Sequence, residues 1–278
     1  MSVELIESDG GRLAVELRGS SSNGPLVVCT PALGDSRSAY APLADQLVAA
    51  GYRVALVDLR GHGDSSVAGF RDYGDEATAR DTAAAITAGQ HPDLVAGIML
   101  FGGFLRNPIA NPFLGALARG FLNLLLWRPW GPSAWKMYAS SLWPGLGPAG
   151  AQARAVETTT LLTRPTDKDD NATTTKTRWA AFQATVAGAD HSVVGPWLAK
   201  VRHQPALVVV GDKDPDWSDP VAEAAWVASQ FAQSTTLVVP GAGHAPMLEN
   251  PALVGPAVLQ FLGTLQTGDT FKASTPAA

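Results

Sequence analysis

The chain has 278 residues, 46% of them hydrophobic, which is enough to bury one large core and points to one domain with an inserted cap. Its net charge is −5, and no basic stripe offsets that balance, so nucleic-acid or anionic-membrane binding has little electrostatic support. The single Cys29 excludes an internal disulfide; within an apolar run it reads as core packing in a cytoplasmic protein.

Met1–Gly11 carries Glu4, Glu7 and Asp9 and no apolar stretch of the kind a secretory signal needs. Val3–Ile6 and Leu13–Leu17 read as short strands joined by a hairpin-like turn at Asp9-Gly10-Gly11. Leu26–Cys29 follows Gly24-Pro25 as a continuously apolar run, the pattern of a strand covered on both faces. Leu43, Leu47 and Val48 recur at helical spacing and Gly51 ends that helix. Val54–Leu59 is a second buried strand, Asp75 to about Ala88 an alanine-rich helix, and Val95–Phe101 a third buried strand. Strands alternating with helices predict a parallel sheet with right-handed crossovers.

From Leu105 to about Ala199 the pattern changes. Leu114, Leu117, Phe121, Leu124 and Leu125 mark an amphipathic helix. The longest apolar stretch, Gly120–Trp127, falls well short of the roughly 20 residues of a membrane span, so none is expected. Trp127, Trp130, Trp135 and Trp143 follow closely; they either line an apolar substrate pocket or pack a small helical subdomain. Thr166–Thr177 is polar and of low complexity, an exposed loop. The α/β pattern then returns with strands at Ala206–Val210 and Leu237–Val239, a helix between them from about Ala222 to Phe231, and a last helix carrying Val258, Leu259, Leu262 and Leu265. The expected division is a core of residues 1–104 and 200–266, a helical cap of 105–199, and a disordered tail of 267–278.

Two loops carry chemistry, each just beyond the C-terminal end of a predicted strand, where parallel sheets place their ligand sites. Gly211-Asp212-Lys213-Asp214-Pro215 follows Ala206–Val210, and Gly241-Ala242-Gly243-His244-Ala245-Pro246 follows Leu237–Val239. Taken singly, Asp214 also suits an Asx turn, and His244 an exposed glycine-rich loop. With one helix and one strand between them, the two loops end side by side, and an Asp can then hold a His tautomer and stabilise its imidazolium.

In this order the pair resembles the α/β-hydrolase superfamily, whose triad runs nucleophile, acid, histidine. Asp58-Leu59-Arg60-Gly61-His62-Gly63-Asp64-Ser65 matches a loop of that family. The resemblance implies that this loop is structural and that His62 is not catalytic. Pro31-Ala32-Leu33-Gly34 stands where the family has its oxyanion loop, so the resemblance makes the backbone N–H of Leu33 an oxyanion donor. It implies an α/β-hydrolase fold: a mostly parallel sheet with helices on both faces and an inserted helical cap.

The chain departs from the family at one point. No G-x-S-x-G turn occurs anywhere, and the helix from Asp75 runs through Gly89-Gln90 directly to His91-Pro92-Asp93-Leu94-Val95. The gap amounts to about one strand–helix unit, which leaves the sheet one central strand short, and Val95–Phe101 is expected to move into the vacated position. The nucleophile and the second oxyanion donor, the N–H after it, go with that unit. Loss of a triad serine alone lowers kcat on the order of 10⁶-fold. Ser36 and Ser38 follow the oxyanion loop and are weak candidates to replace it, since serines there more often cap helices.

The resemblance therefore implies a serine hydrolase of ester-like or small apolar substrates by ancestry, impaired or inactive as written. The alternative is a non-catalytic homologue that binds a small molecule or partner through its Trp-rich cap. The five scattered histidines lack metal-ligand spacing, and no G-x-G-x-x-G or P-loop is present, so no metal and no cofactor is expected. The expected site comprises Asp214, His244 and the Leu33 N–H, with Trp127, Trp130 and Trp135 against the substrate.

Overall fold

The computed structural model describes residues 2–19, 23–86, 95–109, 111–165 and 177–267. The junction at Gly89-Gln90, most of the polar loop at Thr166–Thr177 and the tail after Thr267 lie outside these residues.

Asp9 and Gly10 both take positive φ, 48° and 87°, the two-residue turn whose twist suits a hairpin. It folds β1 (Ser2–Ser8) antiparallel onto β2 (Gly11–Arg18). β2 pairs antiparallel with β4 (Arg53–Val57), which pairs in parallel with β3 (Leu26–Cys29), so the first sheet has the order β1-β2-β4-β3. The second sheet is wholly parallel, β5 (Ile98–Phe101), β6 (Ala206–Gly211) and β7 (Ser234–Val239), in that order.

Burial explains the unbroken apolar run of β6. Ala206, Val208 and Val210 pack on one face with Ala224, Val227 and Phe231, the residues of α8 (Pro220–Ser229) and its end. Leu207 and Val209 pack on the other with Val254, Val258 and Phe261 of α10 (Pro251–Thr267), which follows the short α9 (Pro246–Glu249). A strand covered on both sides has no polar position to alternate with. Between β5 and β6 the regular elements are helical: α3 (Pro112–Leu125), α4 (Gly131–Ala139), α5 (Gly147–Thr163), α6 (Arg178–Ala187) and α7 (Gly195–Val201).

One expectation is overturned. β5 does not move over to β3: the two strands belong to separate sheets and both line the cavity between them. The strand is also shorter than expected, and its four residues are only partly buried, because one edge faces that cavity. The helix layer supplies the reason. α1 (Ala41–Ala49) packs on β3 and β4, α10 packs on β6, and the two helices already touch, with Gln46 Nε2 donating to Pro251 O at 2.9 Å. A side chain at Gly255 would meet Gln46 Oε1 at 1.8 Å, so the contact is tight. Closing the sheets by one strand width, about 4.8 Å, would drive α1 into α10.

β5 is thus hydrogen-bonded on one edge and β6 on both. Amides of Ile98–Phe101 that point away from β6 should exchange with solvent at least about tenfold faster than those of Leu207–Val210, measured residue by residue by NMR. Equal protection along both strands would mean that the two sheets are joined.

Candidate active site

The loops after β6 and β7 are laced together before either side chain is placed. Lys213 N donates to Ala242 O at 2.9 Å and Gly241 N to Asp212 Oδ1 at 2.7 Å. The His244 loop also rests on the turn after α4, since His244 N donates to Leu142 O at 2.8 Å. That approach requires glycine at 243, where a Cβ would lie 2.3 Å from the same carbonyl. Glu249 braces the loop from below, accepting from the N–H groups of Gly243, Gly145 and Ala245 at 2.8, 2.7 and 3.1 Å.

Asp214 and His244, expected to meet, do so: His244 Nδ1 donates to Asp214 Oδ2 at 3.0 Å. The Asp214 side chain is fully buried and that of His244 is 11% exposed. A second carboxylate, Asp216, stands 3.2 Å from the same nitrogen and takes a hydrogen bond from the Tyr138 hydroxyl of α4. Burial pushes the His244 imidazole down, but the Asp214 hydrogen bond and the charges of Asp214, Asp216 and Asp35 outweigh it and raise its pKa to about 9. His244 is therefore an imidazolium at neutral pH. Burial raises Asp216 above the usual carboxylate range, against the pull of His244 and Tyr138.

Leu33 lies in the cavity wall, and among the described residues nothing accepts from its N–H. The next N–H, that of Gly34, is engaged: it donates to His62 Nε2 at 3.2 Å, while His62 Nδ1 donates to Arg60 O at 2.9 Å. Burial lowers the His62 pKa. Neutral, enclosed and satisfied at both nitrogens, His62 shapes the loop, as the resemblance implies. Asp58 is tied just as closely, accepting from the N–H groups of Arg37 and Asp64 at 2.8 and 2.9 Å. Gly63 has φ +47°, and a Cβ there would sit 2.0 Å from Asp58 Oδ2, which fixes the glycine of that motif.

Ser36 and Ser38 turn elsewhere. Their hydroxyls lie 2.8 Å apart, and Arg154 of α5 donates to Ser38 Oγ at 2.8 Å and to the buried Asp35. Neither serine lines the cavity, whereas Asp35 does. Cys29, Thr30, Thr78 and Thr185 line it. Burial pushes the Cys29 thiol up to about 12, far from a thiolate. Among the described residues no hydroxyl or thiol hydrogen-bonds His244 Nε2.

The cavity itself has a volume of about 1310 Å³ and runs between the facing edges of β3 and β5. Its walls are mainly apolar, with Leu26, Val28, Met99, Phe101 and Leu122 among them; Asp216, His244 and Tyr138 form one polar group, and Asp75, Asn107, Arg119 and His191 also line it. Of the three tryptophans expected against the substrate, only Trp135 lines it; Trp127 and Trp130 are 61% and 51% exposed. The reason is local: Trp127 and Trp130 fall in the α3–α4 connection, outside the helices, whereas Trp135 sits inside α4 and packs on Phe182 at 4.7 Å between ring centroids.

Donor atoms of Asp214, Asp216 and His244 lie within 4.8 Å of one another, a set that can hold a cation. The imidazole already satisfies both carboxylates there without one. Asp216, Tyr138, Asp35 and Glu249 have no motif in the sequence; only Asp216, two residues beyond Asp214, was within reach of pattern reading.

A family model described as the alpha/beta hydrolase family matches residues 27–257. Among solved structures, an esterase from Thermogutta terrifontis superposes with a TM-score of 0.70 at 20% identity, covering 95% of this chain and 99% of that one. An enol-lactonase from Burkholderia xenovorans gives 0.69 at 19% identity over 94% and 100%. A putative lipase from Acinetobacter baumannii gives 0.72 at 16% identity over 96% and 93%. At such identities the likeness establishes the α/β-hydrolase fold alone. No curated protein matches the chain.

Proposed function

The chain belongs to the alpha/beta hydrolase family, and from that premise we propose that it holds a small apolar ester or carboxylic acid in the cavity and hydrolyses the ester slowly or not at all. It is a serine hydrolase by ancestry whose acid and base remain without a nucleophile. The observation that carries this reading is His244, held by Asp214 in the wall of a mainly apolar cavity, with no hydroxyl or thiol on its Nε2 among the described residues. As an imidazolium, His244 donates from Nε2 to a carbonyl or carboxylate oxygen of the ligand. It does not accept a proton at neutral pH, as a general base must. The Leu33 N–H is the second donor on this reading. Half of an oxyanion hole polarises a carbonyl but supplies only part of the transition-state stabilisation.

The cavity also supports the second reading, a binding protein without catalysis. Its two facing strand edges carry backbone groups that need partners when water is excluded. An extended chain with amide or ester groups along its length meets both that need and the apolar walls. In either case the ligand lies between the sheets, with Trp135 as the one expected tryptophan in contact.

A fluorophosphonate probe incubated with the full chain tests the absent nucleophile. No adduct is expected in intact-mass spectra, and short-chain nitrophenyl esters should turn over within about tenfold of the rate for His244→Gln. A stoichiometric adduct on Ser36, Ser38 or any other side chain would sink the proposal.

A further inference from the structure

Helix α3 has only two polar side chains, Arg119 and Asn123, yet its apolar outer side is uncovered. Gly115, Ala118 and Leu122 face the cavity, so the helix roofs it. Phe113, Leu117, Phe121 and Leu124 recur at helical spacing on the outer side and are 70%, 55%, 67% and 57% exposed. Trp127 and Trp130 continue the ridge beyond the helix end. The apolar stripe of a helix ordinarily faces a core, and among the described residues nothing covers this ridge.

The charge around the ridge is the opposite of the chain's. Overall the protein carries −5, but from Val95 to Val156 it has no Asp or Glu and five cations. Arg106 and Arg154 are spent on Glu223 and Asp35. Among the described residues no carboxylate pairs with Arg128 or Lys136, which flank the exposed tryptophans. The overall charge thus misleads about this face. A second copy of the chain would set like charges against each other across it, with no acid to answer them.

We propose that the outer face of α3, with Trp127, Trp130, Arg128 and Lys136, docks in the plane of an anionic phospholipid surface. Side chains of one apolar stripe enter the acyl boundary, the indoles sit at headgroup level, and the cations meet lipid phosphates and carboxylates. The helix has 14 residues, about 21 Å at 1.5 Å per residue, too short to span a bilayer. No described helix is long and apolar enough to cross a membrane. The docking rests on this surface alone and stands whether or not His244 acts on a ligand.

Sedimentation of the full chain with vesicles tests it, comparing phosphatidylcholine alone with phosphatidylcholine containing phosphatidylserine at low salt. The chain should pellet with the anionic vesicles and be released by salt. Arg128→Gln with Lys136→Gln should weaken that binding roughly thirtyfold, about fivefold per cation. Leu117→Ser with Phe121→Ser should weaken it at least about a hundredfold with an unchanged circular dichroism spectrum and Tm, since both side chains are exposed. Failure to pellet with anionic vesicles, or binding that the two pairs of substitutions leave intact, overturns the proposal. So does a dimer in sedimentation velocity that the Leu117→Ser and Phe121→Ser pair dissociates, which would assign the ridge to a second copy.

Discussion

Arg60→Ala should destabilise the protein by about 3–5 kcal/mol, the cost of stripping one partner from a buried ion pair. The Arg60 side chain is fully buried and grips Asp81 with two hydrogen bonds, Nε to Oδ2 at 2.6 Å and Nη2 to Oδ1 at 2.8 Å. Its Nη1 reaches the Asp72 carbonyl at 2.8 Å, and its guanidinium lies 4.6 Å from the centre of the Phe70 ring. Asp81 also accepts from Ser8 Oγ at 2.9 Å, so one residue ties β1, the loop after β4 and α2 (Asp75–Ile86) together. Without the arginine, Asp81 stays buried and uncompensated. Thermal unfolding should show a Tm lower by roughly 6–20 °C, at about 2–4 °C per kcal/mol for a chain near this size. Arg60→Lys should recover only part of the loss, because an ammonium cannot make the paired contact. A Tm within about 2 °C of the parent for Arg60→Ala would refute this account of the loop.

The second large effect depends on pH. His244 should titrate at about 9 by NMR, and Asp214→Asn should bring it down towards or below the ordinary 6.5, since its main raising partner is lost. The folded pKa lies above the unfolded one, so the interaction stabilises the fold fully below about pH 6.5 and is lost as pH rises through about 9. The difference corresponds to on the order of 3 kcal/mol. Stability of the parent should therefore fall between pH 6.5 and 9 relative to Asp214→Asn, measured by urea unfolding at several pH values. Parallel curves would show that Asp214 does not hold the proton on His244. Binding of a carboxylate ligand should weaken over the same interval, as Nε2 loses its proton and the site its cation.

Much of this site was legible because its residues follow strands. An unbroken apolar run such as Ala206–Val210 can only be a strand covered on both faces, and the loop at its end must then open at the sheet's C-terminal edge, which put Asp214 beside His244. The glycines of those loops and of Asp58–Ser65 were legible too, since a Cβ at Gly63 or Gly243 would collide with a neighbour. Tyr138 was not, since it comes to Asp216 from a distant stretch of chain, and the roles of Asp35 and Glu249, though close in sequence to Leu33 and His244, follow no pattern and depend on how their loops fold.

The tryptophans show the same limit from the other side. Four of them within a short span say that apolar surface must be covered or used, but only the path of the chain decides which way each ring turns. Trp135, inside α4, closes the cavity, while Trp127 and Trp130 lie in the connection before it and face out with the ridge of α3. Net charge averages over such a face and hides it.

By itself the sequence determined the class of fold, the order of its elements, the neighbouring loops of Asp214 and His244, and the want of a G-x-S-x-G turn, because all of these follow from local patterns and short loops. Whether the sheet would close over the missing strand was a matter for the tertiary structure. The strands could have met as far as their own patterns were concerned. The helices α1 and α10 are already in contact on one face, so the two sheets cannot close without driving one into the other, and between their facing edges lies the cavity that His244 lines.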